Sequence, residues 1–444
     1  MQNASPAVAT GDRSAARRAV TSSFLGTTIE WYDFFLYGSA AALIFGPQFF
    51  PALSQTAATL AALGTFAVGF LARPLGGVVM AHYGDRLGRK TSLVASLALM
   101  GAATVLIGLL PNFATIGVAA PVLLTVLRFV QGIGVGGEWG GAALMAVEHA
   151  PPGRRGLYGS APQMGVPAGL VLATLAFLGM TLLTSPEQFA SWGWRVPFLA
   201  SALLIVIALA IRLRVEESPV FVAAERRGET REHTPVLELL RRHKRTVAIA
   251  AGSFIATNGI GYLFMVYTLS YGTSQLQVPR GVMLSAVLVG ALVWFALIPV
   301  YAGLSDRIGR RRVYLIGSWS LLVWSLVYFP LLDTRAPVLI VLAVIGMANG
   351  LAAAYAPQSA LFAELFPTGV RYSGSSLAYQ VGAILGGGLA PLVATALQEA
   401  AGASWPVTIY VAGICVLSLV CVLAFRETRT VELAAATEGV VARE

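Results

Sequence analysis

Five ionisable residues interrupt otherwise apolar sequence: Glu30, Asp33, Arg73, Arg128 and Glu138. At the centre of a membrane-spanning helix each would cost about 2.5–3.5 kcal/mol unless paired or hydrated. A carboxylate in such a place can take up and release a proton. A guanidinium there can hold a carboxylate through two parallel hydrogen bonds. Glu30 and Asp33 are three residues apart and share a helix face, so their repulsion favours keeping one proton between them when no cation is near. At ~1.5 Å per residue, depth alone pairs Asp33 with Arg128 near the middle, and Arg73 with Glu138 ~15 Å closer to one surface. Asp33 or Glu30 is therefore expected to carry a proton. Arg128 would hold that carboxylate, or a carboxylate on a bound ligand once protonation frees it. The plainer alternative is a permanent structural pair, although apolar residues would be cheaper there. Arg73 and Glu138 are expected to be structural or gating residues.

The elements that must position these side chains follow from the composition. The chain has 444 residues, 57% apolar and 11% charged, against about 25% charged in an ordinary soluble domain. A water-soluble enzyme, a disordered chain and a secreted disulfide scaffold are all unsuited to that balance. Uncharged runs cover 34–72, 91–127, 156–186, 246–279, 281–305, 336–363, 372–398 and 400–425, and about 18 such residues suffice for one span. The pattern predicts an all-α membrane protein of twelve helices at roughly 20–46, 57–82, 91–110, 117–145, 156–183, 194–214, 246–272, 281–303, 313–332, 337–364, 372–397 and 405–426. Among the basic residues, only Arg195, Arg280 and Arg335 fall on the side away from the termini, and Arg73 and Arg128 fall inside spans. The positive-inside rule then places both termini in the cytoplasm. This accounts for the net charge of +9 without a nucleic-acid partner. The first apolar run is too long for a cleaved signal peptide. Cys415 and Cys421 are ~9 Å apart along one helix and cannot bridge each other within it.

One motif occurs twice. Ala81-His-Tyr-Gly84-Asp85-Arg86-Leu-Gly88-Arg89-Lys90 and Ala302-Gly-Leu-Ser-Asp306-Arg307-Ile-Gly309-Arg310-Arg311 both read Ala-x-x-x-Asp-Arg-x-Gly-Arg-basic. Their aspartates are 306 − 85 = 221 residues apart, half of the chain. The chain is thus expected to be two six-helix bundles, 20–214 and 246–426. A cytoplasmic tail at 1–19, a central loop at 215–245 and a tail at 427–444 complete it. Gly88 and Gly309 would permit tight turns. Asp85 and Asp306 would accept from amides at the N-terminus of a neighbouring helix. In the central loop, Thr234-Pro235 followed by Leu239, Leu240 and a run of basic residues suits a short interfacial helix.

These segments resemble the major facilitator superfamily. Within it, the chain is similar to the metabolite:proton symporters, the group of shikimate, α-ketoglutarate, citrate and proline/betaine transporters. The matching stretches are Gly26-Thr-Thr-Ile-Glu30-Trp-Tyr-Asp33-Phe-Phe-Leu-Tyr37-Gly38, Arg128-Phe-Val-Gln131-Gly-Ile-Gly-Val-Gly-Gly-Glu138, Glu216-Glu217-Ser-Pro-Val-Phe221, Glu364-Leu-Phe-Pro367-Thr-Gly-Val-Arg371-Tyr-Ser-Gly374 and Tyr379-Gln380. They span about residues 20–430, and the last look nearest to the shikimate-like branch. The resemblance implies a bacterial inner-membrane secondary transporter, working as a monomer without a cofactor and driven by the proton gradient. Its cargo would be a small organic acid or zwitterion. It also implies that Glu148 and Arg155, in a Glu-x6-Arg spacing, pair with Arg86 or Arg89 when the cytoplasmic side is closed. A membrane sensor on the same scaffold, or an exchanger without proton coupling, is the alternative.

Uncharged polar side chains would form the rest of the site. Tyr37 and Gln163 belong to the first half. Asn258 and Tyr262 share a face, Tyr355 and Gln358 flank Pro357, and Tyr379 and Gln380 are adjacent. For each, helix–helix hydrogen bonding competes with ligand contact. Gly132-Ile-Gly134-Val-Gly136-Gly137 matches a dinucleotide-binding pattern, but no strand precedes it, so close helix packing is expected. Gly84-Asp-Arg-Leu-Gly88-Arg-Lys90-Thr91 lacks the spacing of a phosphate loop. The four histidines are not clustered as metal ligands.

Overall fold

The computed structural model describes residues 11–87, 89–136, 138–148, 150–151, 153–213, 239, 241–367 and 370–431. Short helical turns aside, the helices among the described residues are α1 (Gly11–Ala40), α2 (Gln55–Leu87), α3 (Arg89–Leu109), α4 (Ala119–Val135, resumed at Glu138–Glu148), α5 (Arg155–Leu183) and α6 (Arg195–Leu213). They continue with α7 (Lys244–Tyr262), α8 (Arg280–Ile308), α9 (Arg310–Asp333), α10 (Pro337–Tyr355, resumed at Gln358–Leu365), α11 (Arg371–Ala383, resumed at Ala390–Ala401) and α12 (Trp405–Leu423). Among the described residues, nine helices are long and apolar enough to cross a membrane, or ten if the bent pair Pro186–Gly193 and Arg195–Ala210 is one span. The expected boundaries agree with these helices to a few residues, except that α1 begins at Gly11, and that α1 and α7, expected to run to 46 and 272, give way to wide turns after Ala40 and Tyr262. The proposed interfacial helix of the central loop lies almost wholly outside the described residues, which include Leu239 from it.

In the first half α1 packs against α5, α2 against α4, and α3 against α4 and α6. In the second half α7 packs against α11 and α12, and α10 against α8 and α9. Among the described residues the halves meet most extensively where α5 lies against α8 and α2 against α11, and α4 also meets α10 and α11. Small residues permit a close crossing between α2 and α4. A Cβ at Gly132 would strike the Gly69 carbonyl, and one at Gly136 would strike the Arg73 carbonyl. The glycine run is therefore a packing surface, as expected from its place in a span.

Several helices contain a wide π turn, a local insertion of one residue in the α-helical ladder. One follows α1 at Ala41–Phe45, two follow α7 at Leu263–Tyr267 and Tyr271–Gln275, and one lies within α11 at Ile384–Gly388. The Asn258 Oδ1 accepts from the Gly387 amide at 2.8 Å, inside the α11 wide turn. Pro357, which has no amide to donate, lies in the break of α10 between Tyr355 and Gln358.

Candidate functional site

The α4 run from Val118 to Gly136 carries Arg128 and Gln131 one turn apart, so both point to the same side. Arg128 is 0% exposed. Its Cζ lies 4.1 Å from the Phe34 ring centre, 4.3 Å from Tyr37 and 4.9 Å from Phe66. Gly69 on α2 leaves the necessary room, since a Cβ there would sit 2.5 Å from the Arg128 Nε. Arg73 is also buried, and its Cζ lies 4.4 Å from Phe34 and 4.6 Å from Phe70. Both guanidinium groups thus rest on Phe34. Cation–π contacts of this kind contribute about 2 kcal/mol when desolvated, far less than a buried cation requires.

The expected direct pairing of Asp33 with Arg128 does not occur. Among the described residues no ion pair joins them; two neutral side chains intervene. The Arg128 Nη1 donates to the Gln131 Oε1. The Gln131 Nε2 donates to the Thr104 Oγ1 at 2.9 Å, and Thr104 donates to the Asp33 Oδ2 at 3.1 Å. Equal depth brought the two charges to one level, but their helices leave a gap that α3 fills with Thr104. Among the described residues, the Asp33 Oδ1 and the Arg128 Nε and Nη2 have no hydrogen-bond partner. Glu30 is buried one turn before Asp33. Glu138 belongs to α4, but its side chain lies outside the described residues, as does its expected pairing with Arg73. Neither Thr104 nor Gln131 stood out as a site residue in the sequence. The i,i+3 spacing of Arg128 and Gln131 was available as a signal; nothing marked Thr104.

Tyr262 reaches this cluster from the second half, 5.0 Å from Phe70 and 5.7 Å from Phe34 between ring centres. Its hydroxyl has no hydrogen-bond partner among the described residues. The other polar candidates are largely engaged. Tyr37 donates to the Thr65 Oγ1 at 2.7 Å. Gln163 accepts from the Trp139 Nε1 at 3.0 Å and donates to the Tyr355 carbonyl at 3.0 Å. Gln380 donates to the Gly136 carbonyl at 2.9 Å. Gln358 donates to the Tyr314 hydroxyl at 2.7 Å and to Thr257 at 3.1 Å, facing α9 and α7. Tyr379 stacks on Trp139 with ring centres 3.9 Å apart. Trp139, Gln163, Tyr355, Gln380 and Tyr379 thus tie the halves together. On the side away from the 306–311 loop, a small cavity of about 20 Å³ lined by residues including Thr56, Tyr267, Ser270 and Gln398 has room for little more than one water.

The 306–311 loop forms the other charged cluster. Gly309 has φ +111°, the tight turn expected of it. Asp306 accepts from the Gly156 and Leu157 amides at 2.9 Å each, at the start of α5. Arg310 donates to Asp306 at 2.6 Å and lies 3.5 Å from Glu364. Arg155 pairs across the seam with Glu364 at 3.7 Å, a partner in the other half. The start of α5 is packed on α8, and the expected pairing of Glu148 and Arg155 with Arg86 or Arg89 involves side chains outside the described residues. The chain after α12 closes over this cluster. Glu427 accepts from the Arg310 amide at 2.8 Å and the Arg311 amide at 3.3 Å, while Thr428 donates to Glu364 at 2.6 Å. The carbonyl of Arg307 accepts from Arg429. In the first copy of the motif, Gly88 and the side chains of Asp85, Arg86, Arg89 and Lys90 lie outside the described residues, as does that of Glu148; Gly84 is placed within α2.

This architecture can be set against known proteins. The family model of the Major Facilitator Superfamily matches residues 23–379 and 295–442. The chain belongs to the major facilitator superfamily. An inner membrane metabolite transport protein, YhjE, of Escherichia coli is 42% identical, the match covering 94% of this chain and 95% of that one. The shikimate transporter of the same organism is 41% identical, covering 94% and 96%. The solved Escherichia coli xylose transporter XylE, in a partially occluded inward-open conformation, has a TM-score of 0.74 at 17% identity, covering 94% and 99%. This last likeness concerns the fold. As a member of the superfamily, the chain is a multi-pass membrane protein and a secondary transporter, not an enzyme.

Proposed function

We propose that the chain is a proton-coupled symporter of a small carboxylate-bearing metabolite, an organic acid or a zwitterion. The single observation that carries this reading is the buried Arg128, whose Nε and Nη2 have no partner among the described residues, two side chains away from an equally buried Asp33. A cation so placed suits an anionic group arriving from outside the protein. The Arg fork would bind a carboxylate, and Asp33 or Glu30 would bind the proton. The Tyr262 hydroxyl would contact the rest of the substrate from the second half. The similarity to a shikimate transporter and a metabolite transport protein supports this substrate class.

In this reading the twelve helices form halves 20–214 and 246–426, which rock about the Arg128 level. The 306–311 loop faces the cytoplasm with both termini, and the monomer is the working unit. The charged loop cluster and the cavity on the other side are the two gates. Reconstituted protein should accumulate radiolabelled shikimate, or a compound from a panel of aromatic acids, dicarboxylates, citrate and glycine betaine, when the outside is acidified. Accumulation that survives collapse of the proton gradient would overturn symport and leave exchange.

A further inference from the structure

We infer that Thr104 and Gln131 are positioning residues that transmit the protonation state of Asp33 to Arg128. The inference rests on the symport reading above and assigns a coupling path within the same site.

The path is legible in the direction of its hydrogen bonds. Arg128 donates to the Gln131 carbonyl oxygen, the Gln131 amide nitrogen donates to Thr104, and the Thr104 hydroxyl donates to the Asp33 carboxylate. Every donor points away from the cation and towards the anion. Such an aligned chain polarises itself, and each bond strengthens the next. It also fixes the orientation of the Gln131 amide, because the flipped amide would present N–H groups to a guanidinium, which has no acceptor. All four side chains are essentially excluded from solvent, at 0% exposed for Asp33, Thr104 and Arg128 and 1% for Gln131. In this conformation solvent does not reach the chain to replace one of its links.

Thr104 has one hydroxyl proton and two acceptors in reach: the Asp33 Oδ2 at 3.1 Å and the Met100 carbonyl at 3.0 Å. With Asp33 ionised, the hydroxyl points to the carboxylate and the chain is continuous. When a proton from outside binds the Asp33 Oδ2, that oxygen becomes the donor. Its O–H points at the Thr104 Oγ1, which still accepts from Gln131 and has a second lone pair for the purpose. The Thr104 proton turns to the Met100 carbonyl. No proton leaves Thr104; its hydroxyl only rotates. The chain then has no anion at its end, so the Gln131 carbonyl holds the Arg128 Nη1 less firmly. The guanidinium can offer Nη1 together with Nε and Nη2 to a substrate carboxylate. Protonation and substrate binding are thus linked although Asp33 and Arg128 do not touch.

The charged and titratable groups on the packed elements frame the switch. Glu30 and Tyr32 share α1, Arg73 approaches on α2, and Arg128 and Glu138 belong to α4. At the level of Asp33, α3 contributes Thr104 and α5 has no charged residue between 156 and 183. Tyr32 is committed elsewhere, donating to the Pro197 carbonyl at 2.9 Å.

The test uses the full chain in proteoliposomes with radiolabelled shikimate, reading acid-driven accumulation and gradient-free counterflow side by side. Thr104→Val and Gln131→Leu should each lower accumulation about tenfold, the worth of one hydrogen bond to a charged group, and lower counterflow by less. Thr104→Ser, which restores the hydroxyl, should recover accumulation. Accumulation at the wild-type level in Thr104→Val overturns the relay. Equal losses of both activities without recovery in the serine variant also overturn it, in favour of a packing role. If the unmodified protein does not accumulate shikimate, the symport reading fails for that substrate, and the relay is decided by infrared difference spectra between acid and alkaline pH. A carboxyl band abolished by Asp33→Asn should be accompanied by a side-chain amide band abolished by Gln131→Leu and lost in Thr104→Val. A carboxyl band with no such amide companion rejects the relay.

Discussion

Arg310 and Arg128 are both buried, and they use their hydrogen bonds in opposite ways. Arg310 faces two carboxylates, Asp306 and Glu364, and its own backbone amide is bonded to Glu427. Arg128 bonds to one neutral amide, lies against aromatic faces and keeps two guanidinium nitrogens without partners among the described residues. A cation neutralised in place fixes two helices relative to each other. A cation fixed in shape but not neutralised favours an incoming anion. In the proposed reading the contrast separates a gate from a binding site by charge alone, and it can be broken experimentally.

The largest expected effect is at the loop. Arg310→Ala removes the cation that Asp306 and Glu364 share, leaving Glu364 only the longer pair with Arg155, and should cost about 3 kcal/mol of stability. Thermal unfolding in detergent reads this, and an unchanged midpoint would mean that charge does not hold this end. Next is Asp33→Asn, which should reduce proton-driven accumulation about a hundredfold, near the upper range of coupling between two sites. Counterflow should remain measurable, and wild-type accumulation in this variant removes Asp33 from the coupling. Arg128→Lys keeps the charge and loses the planar fork, so KM should rise about tenfold with little change in stability. The same exchange at Arg310 should do the reverse, and similar behaviour at both positions would dissolve the comparison. The smallest effect is Thr428→Ala. It removes one hydrogen bond to Glu364 and should cost about 1 kcal/mol in the same unfolding assay. A loss as large as that of Arg310→Ala would mean that the segment after α12, not the ion pairs, is the main support of the loop end.

The buried charges were legible because each interrupts a long uncharged run, and Arg128 could be placed at mid-depth from its position in that run. The repeated loop was legible for a similar reason. A turn glycine at 309 and a carboxylate at 306 aimed at helix amides follow from local chemistry, and both are present. What failed was azimuth. Rise per residue gives depth, but not the direction in which a side chain leaves its helix or what stands between two that face each other. This is why Asp33 and Arg128 are separated by Thr104 and Gln131, and why Glu364 was not legible as a partner of Arg155. It also explains Gln163 and Gln358. Their amides were visible as polar groups inside spans, but a backbone carbonyl or a tyrosine on a neighbouring helix already uses them.

The wide turn after α1 occupies 41–45 and the first after α7 occupies 263–267, and 263 − 41 is 222. The loop motif repeats at 221, so the two wide turns occupy the same place in the repeat to within one residue. An extra residue of this kind enters a helix as a single inserted codon. Two independent insertions at matching places require a coincidence that one insertion followed by gene duplication does not. One insertion before such a duplication would account for both turns, whereas the buried Arg73 and Arg128 have no basic counterpart 221 residues on, where Trp294 and Asn349 stand.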